Sequence, residues 1–327
     1  MKNFNLLLES DTVIILGAGA SKDYRFPLWD ELKDELMKYL KNHKSFLFRD
    51  HLMDNYWFNE LENLKNKNKT LDQMVYDSND RDKSDYIMKL VTLIIVNFEI
   101  LDLDRNKKNW IEELSEMYYL NVPKSGFNLF PKNINIITYN YDRCFEHHFT
   151  NNYMKKSYEL LDTQPHYTDK LRYYQKTSSL KIFHPHGCIG VIPQEEDKNH
   201  LQVSIDGYTI RNTNTNRLFK YGDNNIFIDA HNYLQITAVD ECNKSDGTYS
   251  ICRNLIENCK KIIVVGVSAM GLNNQKLEFG HQHSFEIFSG ASFNENDLDQ
   301  VKFKNVEIIN HKLRTDGFIN WLNEDIS

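Results

Sequence analysis

Several short runs of residues carry groups that could do chemistry. Gly17-Ala18-Gly19-Ala20-Ser21 is a run of small residues, whose backbone N–H groups can approach a pyrophosphate closely. The spacing stops short of the full three-glycine fingerprint, because Lys22 stands where the third glycine would be, and a simple glycine-rich turn between strand and helix is the lesser alternative. Thr138-Tyr139-Asn140-Tyr141-Asp142 offers an amide and a carboxylate at alternate positions. Both could face a ligand, or Asn140 could shape a turn while Asp142 caps a helix beginning near Arg143.

His184-Pro185-His186-Gly187 places an imidazole where it could act as a base near neutral pH, and Gly187 leaves room for a close approach. Gly266-Val267-Ser268 and Asn310 each end an apolar run with a polar group suited to a phosphate or ribose contact. Strands end in Ser and Asn routinely, so each is weak alone.

A metal centre is not expected. His184 and His186 have no evident third and fourth ligand, while His147-His148 and His281-Gln282-His283 lack a recognised ligand spacing. The five cysteines, Cys144, Cys188, Cys242, Cys252 and Cys259, contain no CxxC pair, so neither a zinc ribbon nor a complete disulfide framework is written here. A reducing cytoplasm is the expected compartment.

The elements that must hold these groups are readable from periodicity. Apolar runs at 12–16, 134–138, 180–184, 261–267 and 306–310 are continuous rather than alternating, as in strands of a sheet covered on both faces. Helical content is expected at 142–161, 275–288 and 316–324. The alternation predicts an α/β fold, a Rossmann-like doubly wound, mostly parallel sheet. Each chemical run then sits at the carboxyl end of a strand, where ligands of open α/β sheets bind.

Between 28 and 130 the period is helical, with Leu28, Leu32, Leu36 and Leu40 on one face. These residues form a large helical insertion, leaving a discontinuous sheet domain of 1–27 and 131–327. A stretch rich in Asn, Asp and Gln at 191–225 is expected to be a loop-rich excursion. The greasiest segment, LVTLIIVNFEIL at 90–101, is too short for a membrane span and should be a buried helix.

Composition excludes other classes. Lys and Arg number 39 against 46 Asp and Glu, a formal charge of -7, and no basic stretch tracks a phosphate backbone, so no direct nucleic acid partner is expected. The opening MKNFNLLLES is too short for a secretory apolar region.

Taken in order, GAGAS, TYNYD, HPHG, GVS and IIN resemble the sirtuin pattern of GAG-x-S, Asn-x-Asp, His-Gly, Gly-x-Ser and a strand ending in Asn. TYNYD and FPLW are forms shared with bacterial sirtuin-like NAD hydrolases of antiphage defence. The resemblance implies that Gly17, Gly19 and Ser21 hold the diphosphate of NAD, with Ala18, Ala20, Thr138 and Gly266 beside them. It places Ser268 and Asn310 at the adenosine half and Asn140, Asp142 and His186 around the nicotinamide ribose, and Pro27 also matches. His186, which directly precedes a glycine, is the implied base, and His184 is expected to matter much less. Leu28, Trp29 and Asp30 replace the Asp-Phe-Arg of deacetylating sirtuins, and no CxxC zinc module follows His186.

The activity so implied is that of an NAD glycohydrolase releasing nicotinamide and ADP-ribose, with NAD as substrate and no further cofactor or zinc. An NAD-dependent protein deacylase or ADP-ribosyltransferase is the first alternative. A non-catalytic NAD or ADP-ribose sensing module is the second. A homo-oligomer is expected, and a motor ATPase is an activating partner that the resemblance allows.

Overall fold

The computed structural model describes residues 2–8, 11–42, 50–63, 71–105, 107–121, 135–149, 152, 181–186, 189, 202–203, 209–211, 218–220, 248–274, 279, 282–290, 293–300, 302–303 and 306–324. Its main sheet has six strands. These are β1 (Thr12–Leu16), β2 (Asn135–Thr138), β3 (Lys181–Phe183), β7 (Lys261–Val265), β8 (Ser284–Phe288) and β9 (Glu307–Asn310). All neighbours pair in parallel, and the order is β3-β2-β1-β7-β8-β9. The chain winds outward from β1 to β3, then returns to β1's other side with β7. The direction of winding therefore reverses between β1 and β7, and this switch point opens a crevice at the carboxyl ends of the strands.

Alternate residues of these strands enter opposite cores, as the pleat requires. Ile14, Leu16, Ile136, Ile263 and Val265 join one buried cluster, while Val13, Ile15, Ile137, Ile262 and Val264 join the other. Apolar residues at every position are thus explained by helices on both faces.

The first face is covered by helices α3 (Trp29–Asn42), α4 (His51–Asn63), α5 (Leu71–Ser78), α6 (Arg81–Leu103) and α7 (Trp110–Asn121), which follow α1 (Lys2–Leu8) and the short α2 (Ala18–Ser21). Leu32, Leu36 and Leu40 are buried with Trp57, Ile87 and Leu90 in the same cluster as the sheet residues. The apolar segment at 90–101 is the middle of α6, and no helix among the described residues is long and apolar enough to cross a membrane. Residues 122–134 lie outside the described residues.

One expectation needs revision. The segment 275–288 was expected to be helical, yet Ser284–Phe288 is strand β8, central enough to pair on both sides. SFEIF is a five-residue aromatic and β-branched run, short enough for a strand and too short for a helix. The helix of this crossover precedes it, at Ala269–Asn274. The helix at Thr248–Asn258, whose Cys252 and Ile256 cover the second face, and α1 had no counterpart in the sequence reading. Within 191–225, β4 (Gln202–Val203), β5 (Thr209–Arg211) and β6 (Leu218–Lys220) form an antiparallel sheet. The rest of that excursion lies outside the described residues, as do Gly187, Cys188 and Cys242.

Candidate functional site

A cavity of about 560 Å³ opens at the carboxyl ends of β1, β2 and β7. Gly17, Ala18 and Gly19 line it from the loop after β1, Asn140 and Asp142 from the loop after β2, His186 from the turn after β3, and Gly266 and Ser268 from the loop after β7. Pro27 also lines it, with Leu28, Trp29 and Asp30. Ala20, Ser21 and Thr138 are not in the lining, but Ser21 and Thr138 are buried behind it and bonded to Asn140. Asn310 stands apart from the cavity lining. Its Oδ1 accepts from the Lys312 N–H at 3.0 Å and its Nδ2 donates to the Phe293 carbonyl at 3.4 Å, which makes it a turn-forming residue at the end of β9.

The glycines are required first by the packing of two loops. Gly19 donates its N–H to the Gly266 carbonyl at 2.9 Å, Gly17 to Val265 at 3.0 Å, and Ala20 to Gly17 at 2.8 Å. A Cβ on Gly266, whose φ is +69°, would lie 2.1 Å from the Ala20 nitrogen. Side chains are excluded there on steric grounds and by backbone conformation. Three N–H groups of the glycine-rich loop are therefore bonded within the protein.

Asn140 ties this loop to β2. Its Nδ2 donates to the Gly17 carbonyl and to Ser21 Oγ, both at 3.0 Å. A carbonyl can only accept, so the amide orientation is fixed, with both donors used and Oδ1 left as the acceptor. Ser21 Oγ in turn donates to Asp142 Oδ1 at 3.1 Å, and the same oxygen accepts from the Cys144 N–H at 3.0 Å. Asp142 is thus a helix cap, for the helix over 144–149, and also a member of the cavity wall. Burial pushes its carboxyl up to about 7; the Cys144 and Ser21 hydrogen bonds oppose this, and the nearby Glu146 and Glu99 charges add to it.

The two histidines of the HPHG run divide. His186 is buried at the cavity, its ring 5.2 Å from that of Tyr139. His184 faces Asn140's backbone carbonyl through Nδ1 at 2.9 Å and Glu146 Oε1 through Nε2 at 2.5 Å. It is a positioning residue, a part its sequence context did not suggest. Behind the site, Arg143 grips Glu99 of α6 with Nε at 2.9 Å and a second guanidinium contact, a bidentate pair that anchors the segment after β2 to α6.

Asp102, Cys144 and His148 come within 4.8 Å of one another, a cluster that sequence spacing hides because Asp102 lies in α6. Its charge is met by protein groups. Arg105 bonds Asp102 at 3.0 Å and Glu112 at 2.6 Å, and His148 contacts both acids. Burial and the Asp142 charge hold the Cys144 thiol well above its ordinary range.

Ser289, Phe293 and Arg314 also line the cavity and were missed from sequence. Ser289 follows β8, which had been read as helix, and its Oγ accepts from the Val267 N–H at 3.0 Å. Arg314 precedes the helix Thr315–Asn323 with no motif to mark it.

No family model matches the chain, and no curated protein does. Among solved structures it is similar to a Sir2 homologue in complex with NAD, at 11% identity and a TM-score of 0.38, covering 98% of this chain and 91% of that one. It is also similar to Sir2Tm bound to a propionylated peptide, at 12% identity and a TM-score of 0.34, covering 98% of this chain and 96% of that one.

Proposed function

We propose that the chain is an NAD glycohydrolase of sirtuin type, cleaving NAD to nicotinamide and ADP-ribose. The observation that carries this reading is the convergence of Asn140, Asp142 and His186 with the glycine loop in one cavity at the switch point of the sheet. Dinucleotides bind at such a point. Five motifs of the sirtuin order fall at the ends of five parallel strands, four of them on the cavity, while Asn310 contributes only to the turn after β9.

The chemistry suits these groups. Nicotinamide departs as a neutral base, so no general acid is needed, and the strained species is an oxocarbenium-like ribose. As the C1′–N bond breaks, its electron pair leaves with nicotinamide and a water oxygen bonds C1′. Asn140, with both amide donors committed to Gly17 and Ser21, presents its oxygen to the ribose or the water. His186 takes the water's proton, and the buried setting suppresses competing reactions. A role as an NAD-depleting antiphage effector, a homo-oligomeric state and activation by a partner such as a motor ATPase accompany this reading through the resemblance alone.

The test is chromatography of NAD incubated with purified protein, with and without an acetyl-lysine peptide. Peptide-independent nicotinamide release, abolished in a folded His186→Ala protein, is expected. Release only with peptide would select the deacylase, and NAD binding without turnover would select the sensing module.

A further inference from the structure

We infer that Arg314 is the residue that meets the phosphate charge of the bound dinucleotide, an inference that rests on the reading above. Among the described residues Arg314 is the only Lys or Arg lining the cavity, whose acidic members are Asp30 and Asp142. A dianionic diphosphate therefore has one full cation to meet it there among the described residues.

Three N–H groups of the loop expected to cradle that diphosphate are already used within the protein, and none of its residues carries a positive charge. The N–H groups of Gly17, Gly19 and Ala20 donate to Val265, Gly266 and Gly17. The loop offers close approach, and the charge must come from elsewhere.

Arg314 is exposed, with its stem packed on Gly290 and its charge uncommitted among the described residues. Its stem crosses Gly290, where a Cβ would lie 3.1 Å from Nε and 3.2 Å from Cγ, and the Gly290 N–H donates to the Leu313 carbonyl at 3.0 Å. The next residue, Thr315, donates to Asp23 just after α2. Glu31 feels the Arg314 charge, but its carboxylate is bonded to Lys22 at 2.5 Å. Among the described residues the Arg314 side chain forms no hydrogen bond or ion pair. A planar guanidinium held this way can take two phosphate oxygens at once, which a lysine cannot reproduce.

The shared chemistry is a phosphate group, and two phosphates could supply it: the diphosphate, or a 2′-phosphate if the substrate is NADP. Calorimetric titration of ADP-ribose, NADP and phosphate-free adenosine into wild type, Arg314→Gln and Arg314→Lys separates them, with melting curves confirming folded protein. For Arg314→Gln a weakening of about 10- to 100-fold toward ADP-ribose is expected, the usual effect of losing a charge-assisted contact. Arg314→Lys should recover part of it, and adenosine binding should not change. Equal losses for ADP-ribose and NADP assign the diphosphate, and a loss confined to NADP assigns the 2′-phosphate. Unchanged binding of both by folded Arg314→Gln overturns the inference and leaves the dinucleotide reading standing. Failure of wild type to bind either ligand overturns both.

Discussion

His184 lies between the backbone carbonyl of Asn140, 2.9 Å from Nδ1, and the carboxylate of Glu146, 2.5 Å from Nε2, so the end of β3 sets the height of the loop after β2. Glu146 is almost wholly buried, and removing the imidazole strands its charge. His184→Ala is expected to destabilise the fold by about 3 kcal/mol, the usual result of breaking a buried pair from one side. Urea unfolding measures it, and adding Glu146→Gln should restore part of the loss. An unchanged midpoint would show that the imidazole holds nothing.

Asn140 has two duties that a single substitution removes together. Asn140→Ala should cut kcat by about 10² or more under saturating NAD. It should also lower stability by about 1–3 kcal/mol, because the Gly17 carbonyl and Ser21 lose their donor. Nicotinamide release and thermal unfolding on one preparation read both, and wild-type turnover in a stable Asn140→Ala protein would reject the catalytic part.

Asp142 carries a pH signature. Its carboxyl is raised from 3.8 to about 7 in the fold, so between these values the folded chain holds a proton that the unfolded chain has released. Stability must then fall as pH rises through that window and level off above it. The size is on the order of a few kcal/mol. Asp142→Asn can still accept from Ser21 and Cys144, and it should flatten the slope between the ordinary carboxylate value of 3.8 and about 7 in melting experiments. Identical pH profiles for the two proteins would contradict the raised carboxyl.

Gly266→Ala tests the loop contact. A methyl 2.1 Å from the Ala20 nitrogen at a φ of +69° cannot be absorbed by a rotamer change. A loss of about 2 kcal/mol or more is expected in thermal unfolding, with nicotinamide release falling in parallel. Native stability in this variant would mean that the loops can separate at no cost.

Chelator treatment is expected to leave nicotinamide release unchanged, because Arg105 and His148 together already pair with Asp102 and Glu112. Stoichiometric zinc in active protein, with activity lost on its removal, would reverse this.

The runs at 12–16 and 261–265 were legible because they are apolar at every position, and the two-sided burial of Val13, Ile14, Ile15 and Leu16 is the physical cause of that pattern. SFEIF was misread because a run of five residues, three of them apolar, carries too little period to separate strand from helix. The motif residues of the cavity were legible through their order along the chain. Arg314 and Ser289 were not, since their place at the site comes from strand order and loop packing, which leave no local trace. The loop-to-loop contact of Gly19 with Gly266 was likewise invisible, although both glycines were singled out, because sequence suggests what a glycine permits and not which neighbour demands it.

That contact has an evolutionary corollary. Because Gly17, Gly19 and Gly266 occupy one another's missing side-chain space, the three positions form a single heritable unit drawn from opposite halves of the chain. A side chain acquired at any one of them can be accommodated only by a compensating change in the other loop. Homologues should therefore keep all three glycines or lose them together, and a lineage that loses them should carry a crevice of different depth, with selectivity for a ligand of different width.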